Sequence, residues 1–406
     1  MKYIKKNFNL ILKNYILFIL ILTIFYLSVL NPVKTYNAMA EWVINYQGGF
    51  VRRGLIGELV FKLSNLLNLN LRFTFFILQS ILYIIYYYLI YDLLKKLKYD
   101  FFFLLAILSP LFIIFPIAEL EAIGRKEVLI FIILLTSINL YFRFLNNNLI
   151  IFFISIFFPI IILTFEASIF YSFYFISLIL VTSKKIDFFY LSKLFIFSIP
   201  SLASIYLIYF YPHSKDETLL MCEVLKNIGE ECGMPTFFLS KNINAHISEV
   251  DWQPIHIFRY ILIFIFGFLG IFFLIINSKF NKELINPIFL KFPLSINFLL
   301  MFLPTISMYF IAVDTGRWTH IVYTCTFIYY FSFLKNHAII LNERFYNLNI
   351  FKKKNSLLKI VIIIFTCLSW NPKAVYHEDL GSFPIYRSIE KIPDFIGNLK
   401  DFRVVR

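Results

Sequence analysis

Charged side chains are scarce in this sequence. They make up 15% of the 406 residues, whereas 60% of the residues are hydrophobic. A water-soluble domain has about a quarter of its residues charged, so that class of protein is excluded. Short apolar segments of alternating pattern are also missing, which excludes a transmembrane β-barrel. The mean hydropathy of +0.77 therefore indicates a helical protein that crosses a membrane several times.

Other absences limit the chemistry. The sequence has four cysteines and no cysteine or histidine pattern with metal-binding spacing, so we predict neither a metal nor another cofactor. Acidic residues number 24 against 38 lysines and arginines, which gives a net charge of +14. In a membrane protein such an excess is typical of cytoplasmic loops, so we predict no nucleic-acid partner. We find no internal repeat.

Apolar runs long enough to cross a bilayer recur along the chain and predict an all-α, polytopic transmembrane bundle of about eleven spans. The first apolar run is preceded by several lysines, a pattern that is also typical of a signal peptide. It is too long for one and lacks a small-residue cleavage site, so we expect a retained span. The predicted spans are residues 9–30, 73–94, 101–118, 127–143, 149–166, 168–182, 191–211, 256–277, 293–313, 319–334 and 357–370.

The distribution of lysine and arginine between the short loops predicts a cytoplasmic N-terminus. We therefore expect one integral membrane domain, residues 1–371, with periplasmic loops at about 31–72 and 212–255 and a periplasmic tail at 372–406. Cys222 and Cys232 lie in the second of these loops. Either they form a disulfide, which would favour an oxidising compartment, or they are two unpaired thiols.

One stretch stands out because glycines surround two adjacent arginines, Arg52 and Arg53, and a carboxylate, Glu58, follows. Glycine lets a ligand approach the main chain, and arginine presents a rigid fork of donors that matches phosphate oxygens. The pattern predicts an anion cradle for a lipid-linked substrate. The alternative is an interfacial anchor whose arginines reach lipid headgroups. Apolar residues at helical spacing after Glu58 predict an amphipathic helix in the membrane interface.

Two further charged segments fall on the same predicted side of the membrane. Arg125 and Lys126 belong to the segment 119–127, which is either part of an anion site or a solvated turn between spans. Glu166 follows a long apolar run. Its pKa would rise if it were unpaired and desolvated, so we predict that it handles a proton or pairs with an arginine.

The last outer loop carries Asp314 and Arg317, which either belong to the same site or pair only with each other. Trp318 follows them. His213 and Asp251 of the long loop lie on the same predicted side, and we interpret His213 and His320 as interface residues. Trp252 and Trp318, with other aromatic residues of this side, either stack on sugar rings or form an aromatic belt.

Together these groups fit glycosyl transfer. Cationic side chains neutralise the charge on a diphosphate leaving group as it develops. A carboxylate acts as general base on a sugar hydroxyl or as general acid toward the leaving oxygen. A proton-coupled transporter uses similar charges, but it tends to hold them near the midplane between two related halves.

In layout, with about eleven spans and arginine motifs in the outer loops, the chain resembles the O-antigen and capsule repeat-unit polymerases of the Wzy type. The resemblance implies polymerisation of polyprenyl-diphosphate-linked oligosaccharide units at the periplasmic face of the bacterial inner membrane, in surface polysaccharide and lipopolysaccharide biosynthesis. The long first loop is also similar to that of GT-C glycosyltransferases, which use polyprenyl-phosphate sugars. That class carries a catalytic acidic residue there. Glu41 and Glu58 are the available carboxylates, and the customary Asp-bearing pair is absent.

These interpretations assign roles to individual residues. The predicted catalytic residues are Glu166, Glu58 and Asp314. The predicted substrate-binding residues are Arg52, Arg53, Arg125, Lys126, Arg317 and Trp318. The partners implied are the lipid-linked glycan, membrane lipid and a chain-length regulator protein. A transporter or flippase for a lipid-linked or anionic solute is the alternative from another class.

Overall fold

The structure is a computed structural model that describes residues 2–342 and 356–374, apart from residues 35, 96, 98, 99, 212, 213, 242, 249, 251–253 and 369. Six helical segments in this part of the chain are long and apolar enough to cross a membrane. They are Phe8–Leu30, Leu71–Leu94, Asn147–Thr164, Phe188–Phe210, His256–Ile276 and Leu294–Ile311. The chain is therefore an all-α, multi-pass membrane protein, as predicted. The count of eleven spans and the orientation stay predictions.

We number the α-helices in chain order. They are α1 (Lys2–Leu30), α2 (Asn37–Ala40), α3 (Leu55–Leu67), α4 (Leu71–Leu94), α5 (Phe101–Ile107), α6 (Phe115–Ala118), α7 (Val128–Phe144), α8 (Asn147–Thr164), α9 (Ser172–Val181), α10 (Phe188–Phe210), α11 (Lys215–Asn227), α12 (Met234–Phe237), α13 (Ile243–Ser248), α14 (Pro254–Ile276), α15 (Pro287–Leu290), α16 (Leu294–Phe302), α17 (Ile306–Ile311), α18 (Thr315–Lys335) and α19 (Ser356–Ile363). A short antiparallel ribbon joins β1 (Ser278–Phe280) to β2 (Ile339–Leu341).

Several predicted spans are not continuous α-helices. In the predicted span 101–118, α5 ends at Ile107, just before Ser109 and Pro110. Proline disfavours helical geometry in the residue before it, which accounts for this end. Pro304 lies in a 3₁₀ turn between α16 and α17, and a 3₁₀ helix, Glu166–Tyr171, precedes α9. These breaks leave helix ends within the predicted spans.

Helix α18 forms the centre of the bundle. From Thr315 to Phe333 every residue is buried, on all sides of the helix. The helix packs against α4, α7, α14 and α17. Its buried hydroxyls have partners on neighbouring segments: Thr326 bonds the Tyr174 hydroxyl at 2.7 Å, and Tyr323 donates to the Ala106 carbonyl at 2.7 Å. Arg317, in the first turn of α18, therefore lies in the interior of the protein.

The predicted amphipathic helix corresponds to α3. Val60, Phe61 and Glu58 are buried against the rest of the protein. The outward face carries exposed leucines, at positions 59, 63, 66 and 67. An apolar face without protein contacts fits a helix that lies in a membrane interface.

Helix α11 belongs to the long loop and packs on the first loop. Its Met221 and Leu225 are buried in one cluster with Trp42 and Val51. A buried ion pair joins Arg72 Nε to Glu230 Oε2 at 2.7 Å. These contacts place the segment that follows α11 beside the arginines of the first loop.

The structure joins Cys222 of α11 to Cys232 in a disulfide, whereas Cys325 and Cys367 are buried thiols. We expect a maleimide to label Cys222 and Cys232 only after reduction, because a disulfide sulfur cannot be alkylated. Closing a loop of ten residues stabilises by about 3 kcal/mol in the chain-entropy model, so reduction should also lower the melting temperature. The double variant Cys222→Ser/Cys232→Ser is the control. Labelling of both cysteines in the native protein without reductant would contradict the bridge.

Candidate functional site

The first loop is folded tightly around Arg53. A Cβ added to Gly57 would lie 1.8 Å from the Ile44 carbonyl oxygen, so only glycine allows α3 to begin this close to the chain before it. Arg53 itself has φ 69°, in the left-handed region that non-glycine residues seldom adopt. Such a conformation costs on the order of 1–3 kcal/mol and persists only where the surroundings enforce it. Here the Lys126 ammonium donates to the Arg53 carbonyl at 2.8 Å.

Glu41 lies at the centre of the charged residues and is fully buried. One of its oxygens lies 3.3 Å from Arg53 Nη1, and the other lies 3.0 Å from Arg125 Nη1 and 3.7 Å from Arg317 Nη2. Burial by itself would raise the pKa of the Glu41 carboxyl. The three arginines outweigh it and hold that pKa below its usual range. Glu41 is therefore ionised at neutral pH and joins three separate segments of the chain.

Glu166 pairs with the two arginines of the first loop. Arg53 Nε donates to both carboxylate oxygens, at 2.8 Å and 2.7 Å, and Arg52 Nη1 lies 3.8 Å away. Burial favours a raised pKa for Glu166, but Arg53 and Arg52 outweigh it and hold the pKa well below its usual range. The rise expected for an unpaired carboxylate is therefore absent, because Glu166 is paired.

Arg317 enters the cluster from the first turn of α18. Its Nε donates to Glu127 Oε1, and its Nη1 lies 3.1 Å from Asp314 Oδ2. Asp314 and Arg317 therefore do not pair only with each other, because Arg317 also contacts Glu127 and Glu41. The guanidinium carbon also lies 5.1 Å from the Trp318 ring centre and 5.3 Å from that of Phe165, within the range of a cation–π contact.

Lys126 is also fully buried. Burial lowers the pKa of its ammonium to about 8. The interpretation of 119–127 as a solvated turn is wrong, because Arg125, Lys126 and Glu127 are buried. Their contacts with Glu41, Arg53 and Arg317 pull this segment into the protein.

We call the buried and half-buried charged residues around Glu41 the charge cluster. Its contacts join four arginines to five carboxylates, and Lys126 joins it through the Arg53 carbonyl. The members are Arg52, Arg53, Arg125, Lys126, Arg317, Glu41, Glu121, Glu127, Glu166 and Asp314. Most of the positive charge is thus compensated within the protein.

Two predicted site residues stand apart in the structure. Glu58 accepts from the Tyr46 amide at 3.0 Å and lies 3.2 Å from Lys62 Nζ, so it fixes the loop rather than joining the charge cluster. Trp318 touches Arg317 but is buried, which leaves its ring no open face for a sugar. His213, Asp251 and Trp252 lie outside the described residues, as does most of the predicted tail 372–406.

Glu41 is the central residue that the sequence did not single out. It appeared only as one of two acidic residues in the first loop. A carboxylate between Ala-Met-Ala and Trp-Val-Ile is a charge within an apolar run, and that signal would have identified it as a group in need of partners.

Comparisons of the chain with models of protein families, with curated proteins and with solved structures find no match.

Proposed function

We propose that this chain is a membrane-embedded glycosyltransferase that joins polyprenyl-phosphate-linked or polyprenyl-diphosphate-linked sugars, in the form of a polymerase of lipid-linked repeat units. The observation that carries the proposal is the meeting of an ionised, partly exposed carboxylate, Glu166, with two partly exposed arginines, Arg52 and Arg53. A base beside positively charged side chains is what glycosyl transfer from a diphosphate donor requires.

The proposed step is a nucleophilic displacement at the anomeric carbon of the donor sugar. Glu166 accepts the proton of the attacking sugar hydroxyl, whose oxygen forms a bond to the anomeric carbon of the donor. The bond from that carbon to the phosphate oxygen breaks, and the polyprenyl diphosphate leaves with the electron pair. Arginine donors stabilise the negative charge as it develops on the leaving oxygens.

Two apolar surfaces of the protein suit a lipid-linked substrate. The apolar face of α3 borders the loop that carries both arginines. An apolar groove of about 510 Å³ lies between α14, α16 and α18, with Phe268, Phe298 and Phe302 among its lining residues. A groove of this composition accommodates hydrocarbon, which suits an isoprenoid chain attached to a polar head.

The test is the length of surface polysaccharide in a deletion strain that expresses variants at wild-type protein level. A lysine cannot reproduce the planar guanidinium of Arg53, which contacts Glu166 through Nε and Glu41 through Nη1, so Arg53→Lys is expected to lower chain formation by about a hundredfold. Arg143→Lys, at an exposed position of α7, is the matched control and should give normal chains.

The pattern of the deletion strain identifies the reaction. Loss of long chains with single repeat units retained indicates a polymerase, and a changed side branch indicates a transferase of single sugars. Normal chains from both Arg52→Lys and Arg53→Lys would instead support the alternative that the arginines are an interfacial anchor, because lysine reaches lipid headgroups as well as arginine does.

A second candidate is transport or flipping of an anionic, lipid-linked solute. One observation favours it: the helix breaks at Glu166 and before Asp314 adjoin the charge cluster, and transporters often bind solutes at broken helices. Reconstitution separates the two functions. A transferase produces a lipid-linked glycan with a new glycosidic bond and a higher mass, whereas a transporter moves its solute without changing its mass.

A further inference from the structure

We infer that Arg52, together with Lys241 and His246 of the long loop, forms the subsite that binds the phosphate of the substrate, whereas Arg53, Arg125 and Arg317 hold the cluster together. This inference rests on the proposed function and divides the roles of its arginines. It differs from the sequence-based prediction, in which all four arginines bind the substrate anion.

The arginines differ in how fully carboxylates compensate them. Arg53, Arg125 and Arg317 each have a carboxylate oxygen within 3.3 Å. The carboxylate oxygen nearest to Arg52 lies 3.8 Å away, and no described residue accepts a hydrogen bond from the Arg52 Nε. A guanidinium that is largely buried and only weakly compensated gains the most free energy when an anion binds to it.

Access separates Arg52 and Arg53 from the other two arginines. The Arg52 and Arg53 side chains are 24% and 25% exposed, whereas those of Arg125 and Arg317 are 9% and 3% exposed. Arg53, however, is already paired closely with Glu166 and Glu41. An anion reaches Arg52 without displacing a carboxylate. To reach Arg317 it would have to open the bonds to Glu127 and Asp314.

The long loop brings two more basic side chains to the same place, with Phe238 as their common neighbour. Arg52 Nη2 donates to the Phe238 carbonyl at 3.0 Å and lies 3.3 Å from His246 Nε2. Lys241 Nζ lies 4.2 Å from the centre of the Phe238 ring, and the His246 ring centre lies 6.0 Å from it. Basic residues from two distant segments thus converge on one partly exposed point, which is the arrangement of an anion site.

The experiment measures binding to purified protein in nanodiscs of phosphatidylcholine, which has no net charge. The probes are inorganic pyrophosphate and farnesyl diphosphate, titrated by calorimetry. We expect Arg52→Gln to raise the Kd for both probes by about tenfold or more, the effect of losing a charge-assisted hydrogen bond. Lys241→Gln should raise it less, and Arg143→Gln, the matched control, should leave it unchanged.

The outcomes separate the sources of the phosphate. Binding of both probes through Arg52 indicates recognition of the diphosphate itself, and competition by phosphatidylglycerol indicates that a lipid headgroup also enters the site. An unchanged Kd for both probes in Arg52→Gln, in protein that melts like wild type, would overturn the inference, as would a failure of the wild-type protein to bind either probe. Arg52-dependent binding without any glycosyl transfer would overturn the proposed function alone.

Discussion

Replacing Glu41 with glutamine is expected to lower the free energy of unfolding by about 3–5 kcal/mol, the cost of removing one partner from a buried ion pair. Glutamine has nearly the same shape but no charge. Arg53, Arg125 and Arg317 would then face a neutral amide in a fully buried place. We expect a lower melting temperature in detergent, a smaller yield of folded protein and loss of glycosyl transfer.

Glu121→Gln is the matched control. It makes the same chemical change beside Arg125, but Glu121 is 37% exposed and lies 3.7 Å from the guanidinium. Exposed pairs are worth about 0–1 kcal/mol, so the melting temperature should hardly move. Equal melting temperatures of the Glu41→Gln variant and the wild-type protein would show that Glu41 does not stabilise the charge cluster.

Replacing Glu166 with glutamine is expected to lower the rate of glycosyl transfer by about a hundredfold to ten-thousandfold, the contribution of a general base. Its pKa lies below the usual range because of Arg53 and Arg52. A carboxyl of lowered pKa stays ionised as the pH falls, until the pH reaches that lowered pKa. The wild-type rate should therefore lose nothing through Glu166 between neutral pH and about pH 5.

Glu231→Gln, at an exposed position of the long loop, is the control for this variant. The same lipid-linked donor and acceptor should be used for both, with product formation followed by mass. Wild-type turnover in Glu166→Gln would remove Glu166 from the reaction. A rate that falls steadily between pH 7 and pH 5 would contradict the ionised carboxylate.

The fold class was predictable because it depends on local properties. A run of apolar residues indicates a membrane helix wherever it occurs, and the amphipathic pattern after Glu58 corresponds to α3. Where helices break was harder to predict, because hydropathy does not distinguish a continuous apolar helix from a broken one. The segment around Ser109 and Pro110 is apolar enough for a continuous span, yet α5 ends at Ile107.

The sequence identified several members of the charge cluster but not their pairings. The sequence singled out the outer-loop arginines and Glu166, and the structure brings them into one cluster. Which carboxylate meets which arginine depends on tertiary contacts: Arg53 and Glu166 are 113 residues apart, and Arg317 and Glu127 are 190 apart. No local pattern carries that information. For the same reason the sequence did not show that Glu41 compensates three arginines.

The late position of α18 in the chain has a consequence for how the protein is made. Ribosomes deliver the chain from its N-terminus, so Glu127 and the helices around it enter the membrane before Arg317 has been synthesised. Until then Glu127 and the Tyr174 hydroxyl, in the groove that α18 will fill, lack the partners that α18 supplies, which costs free energy in an apolar environment. An insertion chaperone that shelters polar grooves should therefore be needed until residue 335 has emerged. A chain that stops before residue 315 displays that open groove permanently, and it should be a preferred substrate of membrane proteases.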